Sequence, residues 1–250
     1  NLKFPPYTAS LPSGLSGNVF SAIAKRDRFM FNPYNSFDGL IRFMSAAADD
    51  PTVVKIQITL YRLGSESPVI DALLAAAKNR KDVTAVVELK ASFDEETNFR
   101  WATKLKEGGV NVIMGYPGVK VHAKCCLITR IENGQIVRYA NISTGNYNAN
   151  TAKIYADMAI FTANEEICTD AAAMFAMLAG TFSSPVYRRL IISPNSMDQE
   201  IIRRIEREAE ISGTNGRIIM KMNSLTDRDI INALYAASEK GVRIYLAVRG

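Results

Sequence analysis

Val53-Val54-Lys55-Ile56-Gln57-Ile58-Thr59-Leu60-Tyr61, then Ser67 to Asn79 (SPVIDALLAAAKN), then Val83-Thr84-Ala85-Val86-Val87-Glu88-Leu89 stand in succession along the chain. The first stretch is β-branched and alternates, which predicts a strand. The second opens on a proline at its first turn and places Ile70, Leu73, Leu74 and Ala77 on one side, which predicts a helix. The third is short and almost wholly apolar, as a strand buried on both faces should be. Strand, helix, strand within so few residues is the unit of an α/β layered domain.

The same alternation extends outward. Phe37 to Ala48 reads as a helix, with Phe37, Leu40, Ile41, Met44 and Ala48 on one face, stopped by Asp49-Asp50-Pro51. Phe20 to Phe31 mixes apolar and charged residues and ends at Pro33. Downstream, Asn98 to Glu107 reads as a helix stopped by Gly108-Gly109, and Val110 to Met114 as a strand. Val119–Ile128 and Ile136–Ile142 read as two strands joined by an Asn133-Gly134 hairpin turn. Residues 165–179 form an Ala/Met-rich helix. The first 17 residues, with three prolines and two glycines, read as a lead-in linker. A first domain then spans 18–184, with a boundary near Ser183-Ser184-Pro185, and a second spans 185–250. Asp198 to Ala209 in the latter is an amphipathic helix.

The second part echoes the first. Ile231-Asn232-Ala233-Leu234-Tyr235-Ala236-Ala237-Ser238 resembles Ile70-Asp71-Ala72-Leu73-Leu74-Ala75-Ala76-Ala77. Each copy lies between two apolar strands, Val53–Leu60 and Val83–Leu89 in one case, Arg217–Met222 and Val242–Val248 in the other. Each second strand leads to a basic residue, Lys90 or Arg249. Ala-rich helices do look alike by chance, but the matched order favours an internal duplication, the second copy being incomplete.

Composition sets the outer bounds. The 250 residues are 48% apolar and 22% charged, a globular balance that excludes a disordered tail, a collagen-like chain or a coiled coil. No apolar run approaches the ~18–20 residues of a membrane span. A net charge of +5 permits a polyanionic partner without requiring one. Cys125, Cys126 and Cys168 form no disulfide framework and suit a reducing compartment, which predicts a cytoplasmic location. Asn1 is not a start methionine, so the sequence reads as a piece of something longer.

His122 is the sole histidine. A lone histidine is equally at home as a structural or surface residue, and its neighbours decide. On a strand, Lys120, His122 and Lys124 point to one side. Two ammonium groups beside an imidazole disfavour its protonation, which leaves a free lone pair. They also attract an anion. A nucleophile beside fixed positive charge suits attack on a phosphoryl group, whose transition state spreads negative charge over three oxygens. No acidic residue stands between Glu107 and Glu132 to cancel the lysines. Ser143-Thr144-Gly145-Asn146-Tyr147-Asn148-Ala149-Asn150-Thr151 is a candidate phosphate loop; such residues also make ordinary turns.

His122-Ala123-Lys124 followed by a small-residue/Asn loop resembles the phospholipase D superfamily, although Thr129 stands at the aspartate position of that pattern. A narrower family is similar from end to end. Phe4-Pro5-Pro6, Pro33 to Phe37, Thr59-Leu60-Tyr61-Arg62, Val87 to Ala91, Phe93 to Glu96, Val121 to Lys124, Thr144 to Tyr147, Thr151 to Asp157, Asn223-Ser224-Leu225, Leu234 to Ser238 and Val248-Arg249-Gly250 resemble polyphosphate kinase of the histidine-phosphorylating type. The resemblance implies a phospholipase-D-like α/β domain, a mixed sheet flanked by helices, followed by the truncated start of a second. It implies an ATP–polyphosphate phosphotransferase in the parent protein, an inactive isolated fragment, and a phosphohistidine on His122, with Lys120 and Lys124 along the phosphate path.

The resemblance also gives Tyr155 and Arg249 nucleotide contacts, and Thr144, Asn146 and Asp157 places near the phosphates; for Asp157, capping is the ordinary alternative. Mg²⁺ is the implied metal. Arg62 matches a position tied to it, but a guanidinium has no lone pair, so its contact goes to the phosphate that carries the ion. Ser92 stands at a second such position, where the family usually has Arg. Asn141 stands where His is common, Gln57 where Lys is frequent, and Phe31-Asn32 replaces a pair that often holds His. The implied partners are ATP/ADP, inorganic polyphosphate, a second copy of the chain and the parent's remaining domains; no nucleic acid is expected. A peripheral association with the inner membrane is a further implication. The alternatives are a phosphodiesterase that uses the same histidine without ATP, and a non-catalytic polyanion-binding module.

Overall fold

The computed structural model of the chain describes residues 4–5, 7–89, 95–182 and 185–249. It divides into two compact units, Asn1–Arg189 and Leu190–Gly250. The first runs α1 (Val19–Lys25), β1 (Arg28–Asn32), α2 (Asp38–Asp49), β2 (Val53–Leu60), α3 (Pro68–Lys78), β3 (Asp82–Val87), α4 (Glu95–Glu107), β4 (Asn111–Met114), β5 (Cys125–Glu132), β6 (Gln135–Ser143), β7 (Asp157–Thr162) and α5 (Glu165–Leu178).

Its seven strands form one mixed sheet in the order β1-β7-β6-β5-β2-β3-β4. β2, β3 and β4 are parallel. β5 returns antiparallel to β2, and β6, β7 and β1 continue antiparallel. The parallel half follows from the helical crossover α3, and the antiparallel half from the hairpin. At that hairpin Asn133 and Gly134 both have positive φ, 51° and 78°, as a two-residue type I′ turn requires.

One sheet face carries Ile56, Ile58, Leu60, Val83, Ala85 and Val87 against Leu40, Phe43, Met44 and Ala47 of α2 and Ile70, Leu73 and Ala76 of α3; all are buried. The i, i+3, i+4, i+7 spacing of those helical residues produces this layer. α5 packs on β5 and β6. Between it and the sheet runs a groove of about 520 Å³, whose lining includes Gln57, Thr129 and Phe175.

The structure corrects the sequence reading in several places. The strand expected over 119–128 begins only at Cys125; residues 120–124 carry no strand pairing. β7 was not foreseen, nor was the split of 20–31 into α1 and β1. The helix expected from Asn98 starts at Glu95. The lead-in is anchored at its end, where Leu15 is fully buried in the core. Lys90, Ser92, Ser183 and Ser184 lie outside the described residues.

The second unit contains α6 (Met197–Ser212), β8 (Arg217–Met222), α7 (Arg228–Glu239) and β9 (Arg243–Val248). β8 and β9 are parallel. Ile205, Ala209, Leu234, Ala237 and Val242 are its buried core. The order α6-β8-α7-β9 reproduces α2-β2-α3-β3, down to single backbone bonds. Lys81 N–H donates to Ala76 O at 3.1 Å, as Val242 N–H does to Ala237 O at 3.1 Å. Glu88 N–H donates to Leu60 O at 2.9 Å, as Arg249 N–H does to Met222 O at 3.1 Å. The repeat therefore aligns Arg249 with Glu88, not with Lys90.

Candidate functional site

The topology sends several chain segments to one end of the first sheet. β2 and β3 finish there, delivering Tyr61, Arg62 and Glu88. β5 is antiparallel to β2, so its approach, residues 120–124, starts there. β6 finishes there in Ser143 and the following loop, and β7 starts there with Asp157. The carboxyl ends of parallel strands are the usual binding end of an open α/β sheet.

Tyr61, 8% exposed, is the centre of the cluster. The His122 ring meets it edge to face, with centroids 4.6 Å apart and planes at 77°. Lys124 Nζ lies 5.0 Å, Arg62 Cζ 5.5 Å and Lys120 Nζ 5.7 Å from the Tyr61 ring centroid. Three cations within ~6 Å of an aromatic ring are partly offset by its quadrupole, which lets them share the space. Lys124 is buried, whereas His122 is exposed. Lys124 Nζ donates to His122 O at 2.8 Å and sits 3.0 Å from Nδ1 and 3.1 Å from Nε2 of the ring.

These contacts set the protonation states. Partial enclosure of the ring, then Lys124, Lys120 and Arg62, hold the His122 pKa below its ordinary value. Burial lowers Lys124 to about 8, against the pull of Asp157, with Arg62 pushing the same way as burial. Asp157 is held in place by the loop: Thr144 Oγ1 donates to Asp157 Oδ1 at 2.8 Å, and Met158 N–H donates to Thr144 Oγ1 at 3.0 Å. Gly145 is required at this point. A Cβ there would fall 2.6 Å from Asp157 Cγ and Oδ2. Ser143 N–H donates to Lys124 O at 2.9 Å, joining the loop to the His122 segment. The local charge is thus less one-sided than the sequence implies, because Asp157 and Glu88 arrive from other strands.

Of the residues singled out in the sequence, Lys120, His122, Lys124 and Arg62 gather around Tyr61, and Thr144 and Asp157 lie close enough for Asp157 to act on Lys124. Asn146 sits in the loop with its side-chain Oδ1 buried and without a hydrogen-bond partner. Tyr155 is 51% exposed and follows the short 3₁₀ turn Thr151–Lys153, two residues before Asp157. Arg249 belongs to the second unit. Ser92 is outside the described residues. Gln57 and Thr129 line the groove under α5, and Phe31 lies on the edge strand β1. Asn141 is fully buried: it accepts from the Tyr147 hydroxyl at 2.9 Å and donates to Ile160 O at 3.3 Å. The position where His is common therefore fastens the loop from below.

Among the described residues no group of three or more His, Cys, Asp or Glu side chains could hold a metal ion. The Arg62 guanidinium has no lone pair to give a magnesium ion, so among the described residues that position does not fit one as a ligand. No helix among the described residues is long and apolar enough to cross a membrane. Cys125, Cys126 and Cys168 are free, buried thiols.

Sequence reasoning gave no role to Tyr61, Thr59, Glu88 or Asn98. Thr59 Oγ1 donates to Ala123 O at 2.7 Å and accepts from Cys125 N–H at 3.0 Å. Glu88 Oε2 accepts from Val121 N–H at 2.7 Å. Asn98 Nδ2 bridges Tyr61 O and Glu88 O at 2.5 and 3.0 Å. The available signal was position: Thr59, Tyr61 and Glu88 stand where two adjacent parallel strands run out.

Known proteins are similar to this chain. The family described as polyphosphate kinase C-terminal domain 1 matches residues 18–184, and polyphosphate kinase C-terminal domain 2 matches 190–250. A polyphosphate kinase of Halalkalibacterium halodurans is 48% identical over 243 residues, covering 96% of this chain and 34% of that protein. One of Prosthecochloris aestuarii is 46% identical, covering 100% of this chain and 36% of that protein. The chain thus spans about a third of the length of the curated relatives it matches. The crystal structure of polyphosphate kinase from Porphyromonas gingivalis superposes with a TM-score of 0.87 at 36% identity, over 99% of this chain and 39% of that one.

Proposed function

This chain belongs to the polyphosphate kinase family, and from that premise we propose that it carries the phosphoryl-transfer centre of an enzyme that moves phosphate between ATP and inorganic polyphosphate, with His122 as the covalent carrier. In this reading a ring nitrogen lone pair of neutral His122 attacks the γ-phosphorus of ATP. The P–O bond to the β-phosphate breaks, and ADP leaves with the electron pair. A terminal oxygen of polyphosphate then attacks the phosphohistidine. Its P–N bond breaks and the pair returns to the ring. Both steps are reversible.

The observation that carries this reading is the pairing of an exposed imidazole, held below its ordinary pKa, with a buried ammonium 3.0 Å away. The first is an available nucleophile, and the second meets the negative charge spreading over the transferring group. Lys120 and Arg62 extend the positive path. In this reading the loop that carries Thr144 and Asn146 borders the phosphates, with Thr144 holding Asp157, while Asp157 steadies Lys124. Tyr155, and Arg249 of the second unit, serve the nucleotide. Magnesium enters this reading with the nucleotide, whose phosphates supply oxygen ligands. The cytoplasmic location, the homo-oligomer and the two-domain division near residue 185 belong to the same proposal.

The test is a labelling assay with γ-labelled ATP and Mg²⁺ on the natural full-length chain, with His122→Ala beside it. Label that is lost in acid, survives base and disappears in the variant is the expected result. Intact ATP and no label overturn the kinase; cleavage of a phosphodiester without ATP points to the diesterase, and salt-sensitive polyphosphate binding without turnover to a binding module.

A further inference from the structure

We propose that Glu88 is a positioning residue for His122: its buried carboxylate fixes the backbone beside the histidine and so sets where the imidazole points. The assignment rests on the reading of His122 as the phosphoryl carrier.

The argument starts from backbone hydrogen bonding. Residues 120–124 leave the sheet before β5 begins, so their N–H and C=O groups lose the partners a ladder supplies, and buried groups of that kind need replacements. Val121 is 7% exposed and Lys124 6%. Lys124 O is met by the backbone Ser143 N–H, and side chains supply the replacements beside His122. Thr59 Oγ1, at the end of β2, holds Ala123 O at 2.7 Å and Cys125 N–H at 3.0 Å. Glu88 Oε2, just past β3, holds Val121 N–H at 2.7 Å. His122 is therefore clamped on both sides, by Glu88 before it and Thr59 after it. A buried carboxylate accepting a backbone N–H is a charge-assisted bond, shorter and stronger than a neutral one.

The clamp is rigid because Glu88 is itself fixed. It is 3% exposed, its N–H donates to Leu60 O at 2.9 Å, and its backbone carbonyl accepts from Asn98 Nδ2, which also donates to Tyr61 O. Asn98 is fully buried. The two surfaces that define the ring position, the Tyr61 face and the Val121–His122 backbone, are thus referred to one pair of residues. A reacting nitrogen has to be placed within a fraction of an ångström of the line of attack, and supporting groups of this kind supply that placement.

The experiment compares Glu88→Ala with Glu88→Gln. Glutamine keeps an acceptor oxygen at the same reach and drops the charge; alanine removes both. In the natural full-length chain, Glu88→Ala is expected to slow acid-labile labelling at saturating ATP by about 100-fold, with the KM for ATP changed less than about threefold. Glu88→Gln should restore the rate to within about fivefold of the parent. Independently of activity, His122 is the sole histidine of this 250-residue chain, so its ring is read directly by NMR. The Tyr61–His122 ring contact and slow exchange of the Val121 amide should persist in Glu88→Gln and vanish in Glu88→Ala, with the methyl spectrum of the core unchanged.

Glu88→Ala that labels like the parent overturns the proposal, as does Glu88→Gln that is as slow as Glu88→Ala, which would make the charge and not the hydrogen bond decisive. If the unmodified chain takes no label, the phosphohistidine reading fails. The clamp is then judged by the ring contact and amide exchange alone, and unchanged values in Glu88→Ala overturn it.

Discussion

Lys124 Nζ stands almost equally far from the two ring nitrogens of His122, 3.0 Å from Nδ1 and 3.1 Å from Nε2, while donating to the carbonyl of the same residue at 2.8 Å. A neutral imidazole carries its lone pair on one ring nitrogen and its N–H on the other, and the two point in divergent directions, so an ammonium equally close to both nitrogens lies along neither. The ammonium therefore flanks the imidazole without occupying its lone pair. In the proposed reading that leaves the lone pair to attack and places the ammonium to meet the charge on an incoming phosphoryl group.

Lys124→Met is expected to cut acid-labile labelling by about 100-fold or more, as loss of one preorganised charge donor does. The His122 pKa, read by NMR titration of the sole histidine, should rise in the same variant. It should stop short of the ordinary histidine value, because ring enclosure is the larger cause of the depression and survives the substitution.

The pH profile of kcat/KM should have two limbs. His122 must be neutral to attack, and its pKa is lowered, so activity falls only once pH drops through a midpoint below the ordinary 6.5. Lys124 must be charged to receive an anion, and its pKa is about 8, so activity falls again as pH rises through that value. Initial labelling rates across this range at fixed ionic strength check both limbs.

Gly145→Ala should lower stability, because the added Cβ would fall 2.8 Å from Asp157 Cβ, which the β7 backbone holds in place, as well as 2.6 Å from its Cγ and Oδ2. Displacing Asp157 removes the group that raises the Lys124 pKa. The alkaline limb should therefore move to lower pH. Thermal unfolding and the pH profile together separate this from simple loss of fold.

Asn98→Ala leaves the carbonyls of Tyr61 and Glu88 without their shared donor in a fully buried setting. A cost of about 3 kcal/mol is expected from two unsatisfied carbonyls, measured as a shift of the urea midpoint at constant slope.

Much of the fold is readable along the chain because each element buries its own face. The period of Leu40, Met44 and Ala48, the alternation through Val53–Leu60 and the Asn133-Gly134 turn each fix a local structure. β7 escaped because Asp157–Thr162 opens on an aspartate, a residue depleted in strands, and leaves only a short apolar run behind it. The strand expected over 119–128 was half wrong for a different reason. Alternating residues tell which side a residue faces, but not whether a ladder partner lies beside it, and at 120–124 side chains of Thr59 and Glu88 take the partner's place.

The sequence by itself determined the α/β class, the duplicated strand–helix–strand unit, the family, and His122 with its two lysines as the centre of interest. Those depend on residue type and on spacings of a few positions, which local chemistry can read. Only the tertiary structure decided that Tyr61 is the ring on which the cations converge, that Asp157 tempers Lys124, that Asn141 braces a loop from beneath, and that Glu88 grips the backbone next to His122. Apart from the neighbours Tyr61 and Arg62, those relations join residues 6 to 63 positions apart. They exist because alternating strand directions bring the ends of β2, β3 and β6 and the starts of β5 and β7 to the same edge of one sheet.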